Sequence, residues 1–295
     1  KPMKKDRKQL KNQMEPAGQE ECSHSNDLFA VATPVWYQNN GEINPEWLSM
    51  CKEERNQTTN LLGQVISFSN LQKAYKQVRS NGGSAGVDKM SVKDFGDWFA
   101  EHYQALQMEL QQEIYEPQAV RGIQIPKPKG GFRQLGIPTV KDRVVQQAIS
   151  QVLQPIFGPK FSPNSYGFRP KRNAHQALRQ ACKFARSGKA RAVDLDQAKF
   201  FDEVNHQRLM WLLGTRIGDK QLLRLISKIL KTDILTDGLQ GQRTKGTPRG
   251  SPLSPLLSNI VLDELDQELS LRGGMSNLCV FIKNRSVCFL SFFGV

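Results

Sequence analysis

Asp194 and Asp196 stand two residues apart at the end of a short apolar run that begins at Ala190. On an extended strand that spacing turns both side chains to one face. Phe200 and Phe201 follow directly, and Asp202 to His206 reads as the start of a helix. Hard divalent cations take oxygen donors, so acids at the end of a buried strand, backed by rings, suit a site where a metal meets a flat, charged substrate. Acids two apart also form the metal clamp of many nucleotide-sugar glycosyltransferases, but that reading explains none of the basic segments elsewhere in the chain. Of the neighbours, Asp194 reads as structural and Asp202 as an acid favoured at a helix N-terminus. His175 and His206 read as capping or packing residues.

The charge balance points to a polyanionic partner. Lys and Arg number 41 against 28 Asp and Glu, a net charge of +13 with a pI near 9.6. Such an excess most often accompanies nucleic acid binding. With 295 residues, 38% hydrophobic, the chain can bury a sizeable core. The five cysteines are scattered, with neither zinc-ligand spacing nor an even count. A reducing compartment fits them, and the expectation is a cytoplasmic protein with no membrane partner. The Lys1 start is polar, without the apolar segment of a secretory signal. The apolar tail from Leu278 is interrupted by Lys283, Asn284 and Arg285.

Patterning then sets out the elements that must position the acids. Residues 1–60 read as a polar, partly flexible extension in which Trp36, Tyr37 and Trp47 dock locally. Leu71, Ala74, Tyr75 and Val78 predict a helix begun at Asn70 and ended by Gly82-Gly83. A second helix spans Val92 to Gln112. Strands over 120–125 and 132–137 flank a Pro/Lys/Gly turn, a hairpin with Lys127, Lys129 and Arg133 at its tip. Gly130-Gly131 lets that backbone approach a ligand, and the cations suit phosphates. A core helix runs from Thr139 or Asp142 to Phe157, with Arg143, Gln146 and Gln147 away from its apolar face. Residues 158–172 form a loop mixing Phe161, Tyr166 and Phe168 with Lys160, Arg169, Lys171 and Arg172, a combination suited to nucleic acid. The helix after Asn173 turns Ala174, Ala177, Leu178, Ala181 and Cys182 inward. Beyond the acid strand come helices near 205–214 and 219–231 and a hairpin turning at Asp237-Gly238. A Gly/Pro-rich loop from Gly246 then leads into a helix capped by Ser254, and two apolar strand-like runs cover 278–282 and 286–293.

In this order the blocks resemble the reverse transcriptase domain of group II intron-encoded proteins. The resemblance is carried by Ile125 to Pro128, Gly136 to Gln146, Ser165 to Pro170, the acid strand and the Gly246 loop, and it covers roughly residues 60–272. The segment around Gly86-Val87-Asp88 resembles the block that precedes the fingers in that family. The resemblance implies an α+β fingers–palm (right-hand) fold, incomplete, with the palm sheet truncated and no thumb. It implies an N-terminal extension (1–60), a helical block of the fingers (61–118), fingers and palm (119–272) and a divergent apolar tail (273–295).

By the same resemblance, Asp196 matches the first catalytic aspartate, a ligand for Mg2+ (Mn2+ as an alternative), with the Gln197 carbonyl beside it. Phe201 matches the ring that excludes a ribose 2′-OH. Lys127 and Arg133 match the residues that hold the triphosphate, and Pro248, Arg249 and Gly250 the segment beside the incoming nucleotide. Lys129, Arg143, Arg169, Lys171 and Arg172 are the expected RNA contacts. The implied activity is two-metal transfer of dNTPs to a DNA or RNA primer 3′-OH on an RNA template, with group II intron RNA as partner. Two departures stand out. The family usually has Gln where this chain has Arg249. Its Tyr-Ala-Asp-Asp block should follow the helix ending near Arg272, yet no Asp or Glu occurs after Glu268. The chain therefore reads as a truncated copy, with weak or absent activity, and a non-catalytic RNA-binding (maturase-like) module is the alternative.

Overall fold

The computed structural model describes residues 52–53, 55–126, 130–187, 191–196, 200–236, 239–241, 243–248, 250–271, 278–283 and 286–293. All belong to the unit Pro34–Val295; the unit Lys1–Thr33 lies outside the described residues, as do Trp36, Tyr37 and Trp47. Among the described residues no helix is long and apolar enough to cross a membrane.

A helical layer forms first. Helices α1 (Leu61–Ile66), α2 (Phe68–Asn81) and α3 (Asp94–Gln111) pack with α4 (Val140–Phe157). Helix α2 starts two residues before Asn70, because that side chain is used across the interface: its Nδ2 donates to the carbonyls of Val65 and Ala148. Helix α4 is the core element, with Val144, Val145, Ala148, Ile149 and Leu153 fully buried. Side chains of this kind stabilise by about 1.5–3 kcal/mol each on burial. Thr139 caps it, its hydroxyl accepting from the Asp142 amide at 3.1 Å.

The strands form two sheets. The first has the order β2-β1-β4-β5, with β1 (Val120–Pro126) antiparallel to β2 (Phe132–Ile137) and parallel to β4 (Ile234–Thr236), which turns into β5 (Leu239–Gly241). The expected hairpins are present, but the parallel join of β4 to β1 has no signature in local sequence. The second sheet is antiparallel, in the order β3-β7-β6: β3 (Arg191–Asp196), β6 (Leu278–Lys283) and β7 (Ser286–Phe293). Helix α5 (Ala174–Arg186) packs on β6 and β7, and α6 (Phe200–Glu203) follows β3. Helices α7 (His206–Arg216), α8 (Lys220–Lys231) and α9 (Ser254–Leu271) complete the core.

Helix α5 corrects one expectation. Its buried face is Ala177, Ala181 and Phe184, whereas Leu178 is 59% exposed and Cys182 is also exposed. Asn173 caps this helix in a capping box with Gln176.

Candidate functional site

The crossing segment from Lys245 to Ser251 joins the α6–α7 stretch that follows β3 to the end of β2 in the first sheet. The Thr247 amide donates to the Phe201 carbonyl at 2.6 Å, and the Gly246 amide to the Val204 carbonyl at 2.7 Å. His206 meets the Gly246 carbonyl through Nε2 at 2.7 Å. Gly246 has φ +84°, and a Cβ there would lie 2.7 Å from the Asp202 carbonyl oxygen. Gly250, at φ +104°, would bring a Cβ to 2.5 Å from the Gly136 carbonyl oxygen on β2. Both positions need glycine, for conformation and for space. On the far side, the Ser254 hydroxyl donates to the Pro248 carbonyl and the Ser251 hydroxyl to Gln146 Oε1 of α4. Ser254 thus begins α9 with its hydroxyl turned back to the loop, instead of capping the helix.

The crossing encloses a cleft of roughly 680 Å³. One wall is the Gly82–Ser84 turn with Arg143. Another is the end of β2 with Pro138. The third carries Phe168, Phe201 and the Gly250–Pro255 stretch. Phe201 is buried, and its ring meets Phe168 edge-on, centroids 6.3 Å apart and planes at 81°. Phe168 has φ 51°, a left-handed conformation uncommon for a non-glycine residue, and is 48% exposed. Its flanks are pinned: Asn259 Nδ2 donates to the Gly167 carbonyl at 2.9 Å, and Arg169 donates to the carbonyls of Ser162, Ser165 and Gly158. Strained, exposed and doubly anchored residues of this kind gather at functional sites.

The expected site residues occupy different positions in this frame. Asp196 closes β3, in register with Cys288 of β7, and Asp194 is in register with Leu290. Arg133 lies on β2 in register with Ile125. Phe201 and Gly250 both line the cleft, whereas Pro248, whose carbonyl accepts from Ser251 and Ser254, is not among its lining residues. Lys127, Lys129, Gln197 and Arg249 lie outside the described residues. Arg143 is buried, although the helix pattern turned it from the core. Its guanidinium donates to the carbonyls of Gly82 (3.2 Å) and Ser84 (2.8 Å), its Nε is buried with no partner, and burial lowers its pKa. Burial lowers the Arg169 pKa in the same way. Lys171 is exposed at φ 61°, and Arg172 stacks on Tyr166 (5.1 Å) while donating to the Pro163 carbonyl.

Several supporting residues have no obvious sequence mark. Gln146, Ser251 and Asn259 hold the cleft walls together. Their signal is a buried polar group inside an apolar run, which requires a partner. A second cluster sits at the start of α4. Tyr115 and Thr139 both donate to the buried Asp142 carboxylate, and the Gln118 amide reaches it at 3.3 Å. Burial raises the Asp142 pKa despite those bonds.

The second sheet offers few oxygen donors for a metal pair. Its carboxylates, Asp194 and Asp196, are both on β3; β6 and β7 carry none. Among the described residues no three His, Cys, Asp or Glu side chains are grouped as metal ligands. Two-metal chemistry uses clustered oxygen donors, and this donor set does not fit it.

A family model described as "Reverse transcriptase (RNA-dependent DNA polymerase)" matches residues 125–286. The chain belongs to the reverse transcriptase family. Its relatives include proteins named as group II intron-encoded. Protein YkfC of Escherichia coli (strain K12) is 37% identical over 191 residues, 63% of this chain and 50% of that protein. Group II intron-encoded protein LtrA of Lactococcus lactis subsp. cremoris is 37% identical over 196 residues, 66% of this chain and 32% of LtrA. This reverse transcriptase chain thus spans about half of one curated relative and a third of the other. A solved structure titled "Partial Cas6-RT-Cas1--Cas2 complex" aligns with TM-score 0.51 over 78% of this chain and 38% of that one, at 23% identity, a likeness of fold.

Proposed function

We propose that this chain is the fingers and part of the palm of a group II intron RNA-directed DNA polymerase, and that its cleft receives nucleotide and RNA template. The supporting observation is the cleft itself, one wall of which carries the aromatic Phe201 together with Gly250 and Ser251. In this reading Lys127 and Arg133 hold a triphosphate, Phe201 selects the sugar, and Pro248, Arg249 and Gly250 lie beside the nucleotide. Lys129, Lys171 and Arg172 contact RNA, and Arg143 and Arg169 act through the turns they hold. Asp196 is the candidate catalytic carboxylate. With Gln197 it is a partial donor set for Mg2+, so no metal-dependent step is assigned.

That shortfall favours a second reading, an RNA-binding, maturase-like module that polymerises little or nothing. Primer extension on poly(rA)/oligo(dT), run beside an RNA-binding titration at low salt, separates the two. The expected result is bound RNA with little or no extension. Robust synthesis abolished by Asp196→Asn would establish the polymerase and overturn the shortfall. Absence of RNA binding would overturn both readings.

A further inference from the structure

From Arg143 to Val193 the sequence contains Lys and Arg but no Asp or Glu. Helix α5 lies in the middle of that stretch. Arg179, Lys183 and Arg186 are spaced i, i+4 and i+7, so they share one face, successive members about one turn or 5.4 Å apart along the axis. All three are exposed, and His175 continues the stripe one turn earlier. Among the described residues none of the three cations is ion-paired; Arg179 donates only to the His175 carbonyl, at 3.3 Å. Exposed Lys171 lies just ahead of the helix. The opposite face of α5, Ala177, Ala181 and Phe184, is buried, and the helix packs on β6 and β7. The helix contributes no residue to the cleft.

We infer that the outer face of α5 is a second RNA-docking surface, separate from the cleft, which takes the phosphate backbone of a structured RNA. The inference rests on the reading of the chain as an RNA binder. A stripe of cations without ion-pair partners, in a stretch of sequence free of acids, has no salt bridge to break, so each phosphate contact displaces chiefly solvent and condensed counterions. Cation side chains spaced along one helix face grip a backbone without reading bases, so the docking is independent of sequence. Leu178 and Cys182 flank the stripe and leave it open.

The test uses the whole chain and a fluorescein-labelled RNA hairpin. Substituting R179Q/K183Q/R186Q changes only exposed side chains and should leave the circular dichroism spectrum unchanged. The slope of log affinity against log salt should fall by about one per cation removed, about three in all. Bound hairpin should also slow maleimide alkylation of Cys182, read by peptide mapping, in the wild type. Wild-type affinity and slope in the triple variant, together with unprotected Cys182, would overturn the α5 surface and leave the cleft reading standing. Failure of the wild-type chain to bind the hairpin at low salt would overturn both.

Discussion

Asp266 lies on α9 beside Asp263, facing the Arg169 turn. Burial, with Asp263 adding to it, pushes its carboxyl up to about 7, while Arg169 pulls the other way. A carboxyl whose folded pKa exceeds its unfolded value, near 3.9, binds more protons folded than unfolded in between. Its stabilising contribution is therefore complete below about 4 and is lost as pH rises towards about 7. Thermal melts from pH 8 down to pH 6 should show Tm rising, and Asp266→Asn should raise Tm at pH 8 by a few degrees and flatten that dependence. A fall of Tm between pH 8 and pH 6 would show that Asp266 is charged at little cost.

At the scale of elements, the crossing segment has the least freedom. A methyl at Gly246 would press on the Asp202 backbone and sit at φ +84°. Gly246→Ala should cost roughly 2–3 kcal/mol, a Tm loss of about 4–10 °C. Because the same segment walls the cleft, RNA affinity should fall with it; an unchanged melt would mean that the segment is not tightly seated. The strongest elements were legible from pattern alone. Helix α4 shows its apolar face at Val144, Ala148 and Val152, and the hairpin of β1 and β2 shows its strands and turn. The buried face of α5 is not legible in the pattern because an alanine-rich helix has two plausible inner faces, and only its packing on β6 and β7 chooses between them. The burial of Arg143 and Gln146 was equally hidden. Their partners, Ser84 and Ser251, are 59 and 105 residues away in sequence. Of the expected site residues, Phe201 and Gly250 line one cleft, and β6 and β7 carry no carboxylate, as the sequence after Glu268 requires.

For the whole molecule, net charge is the governing quantity. A chain at +13 should bind RNA with an affinity set largely by counterion release. Neutralising four phosphates implies a loss of about a hundredfold between 50 and 200 mM salt. Fluorescence anisotropy across that range checks it. A flat response would mean that stacking on rings such as Phe168, rather than charge, supplies the binding.

The tie between the start of the helical layer and the α7–α8 corner has a consequence for synthesis. The Leu62 amide donates to Asp219 Oδ2, 157 residues later, and the Thr58 hydroxyl donates to the Arg216 carbonyl, 158 residues later. On a ribosome adding about 5–20 residues per second, α1 must wait about ten to thirty seconds for that partner to emerge. During the wait Leu61, Leu62 and Val65 lack the α7–α8 corner that later covers α1. Final closure of the core is therefore deferred until α8 is made, and nascent chains halted before Asp219 should be substrates for chaperones.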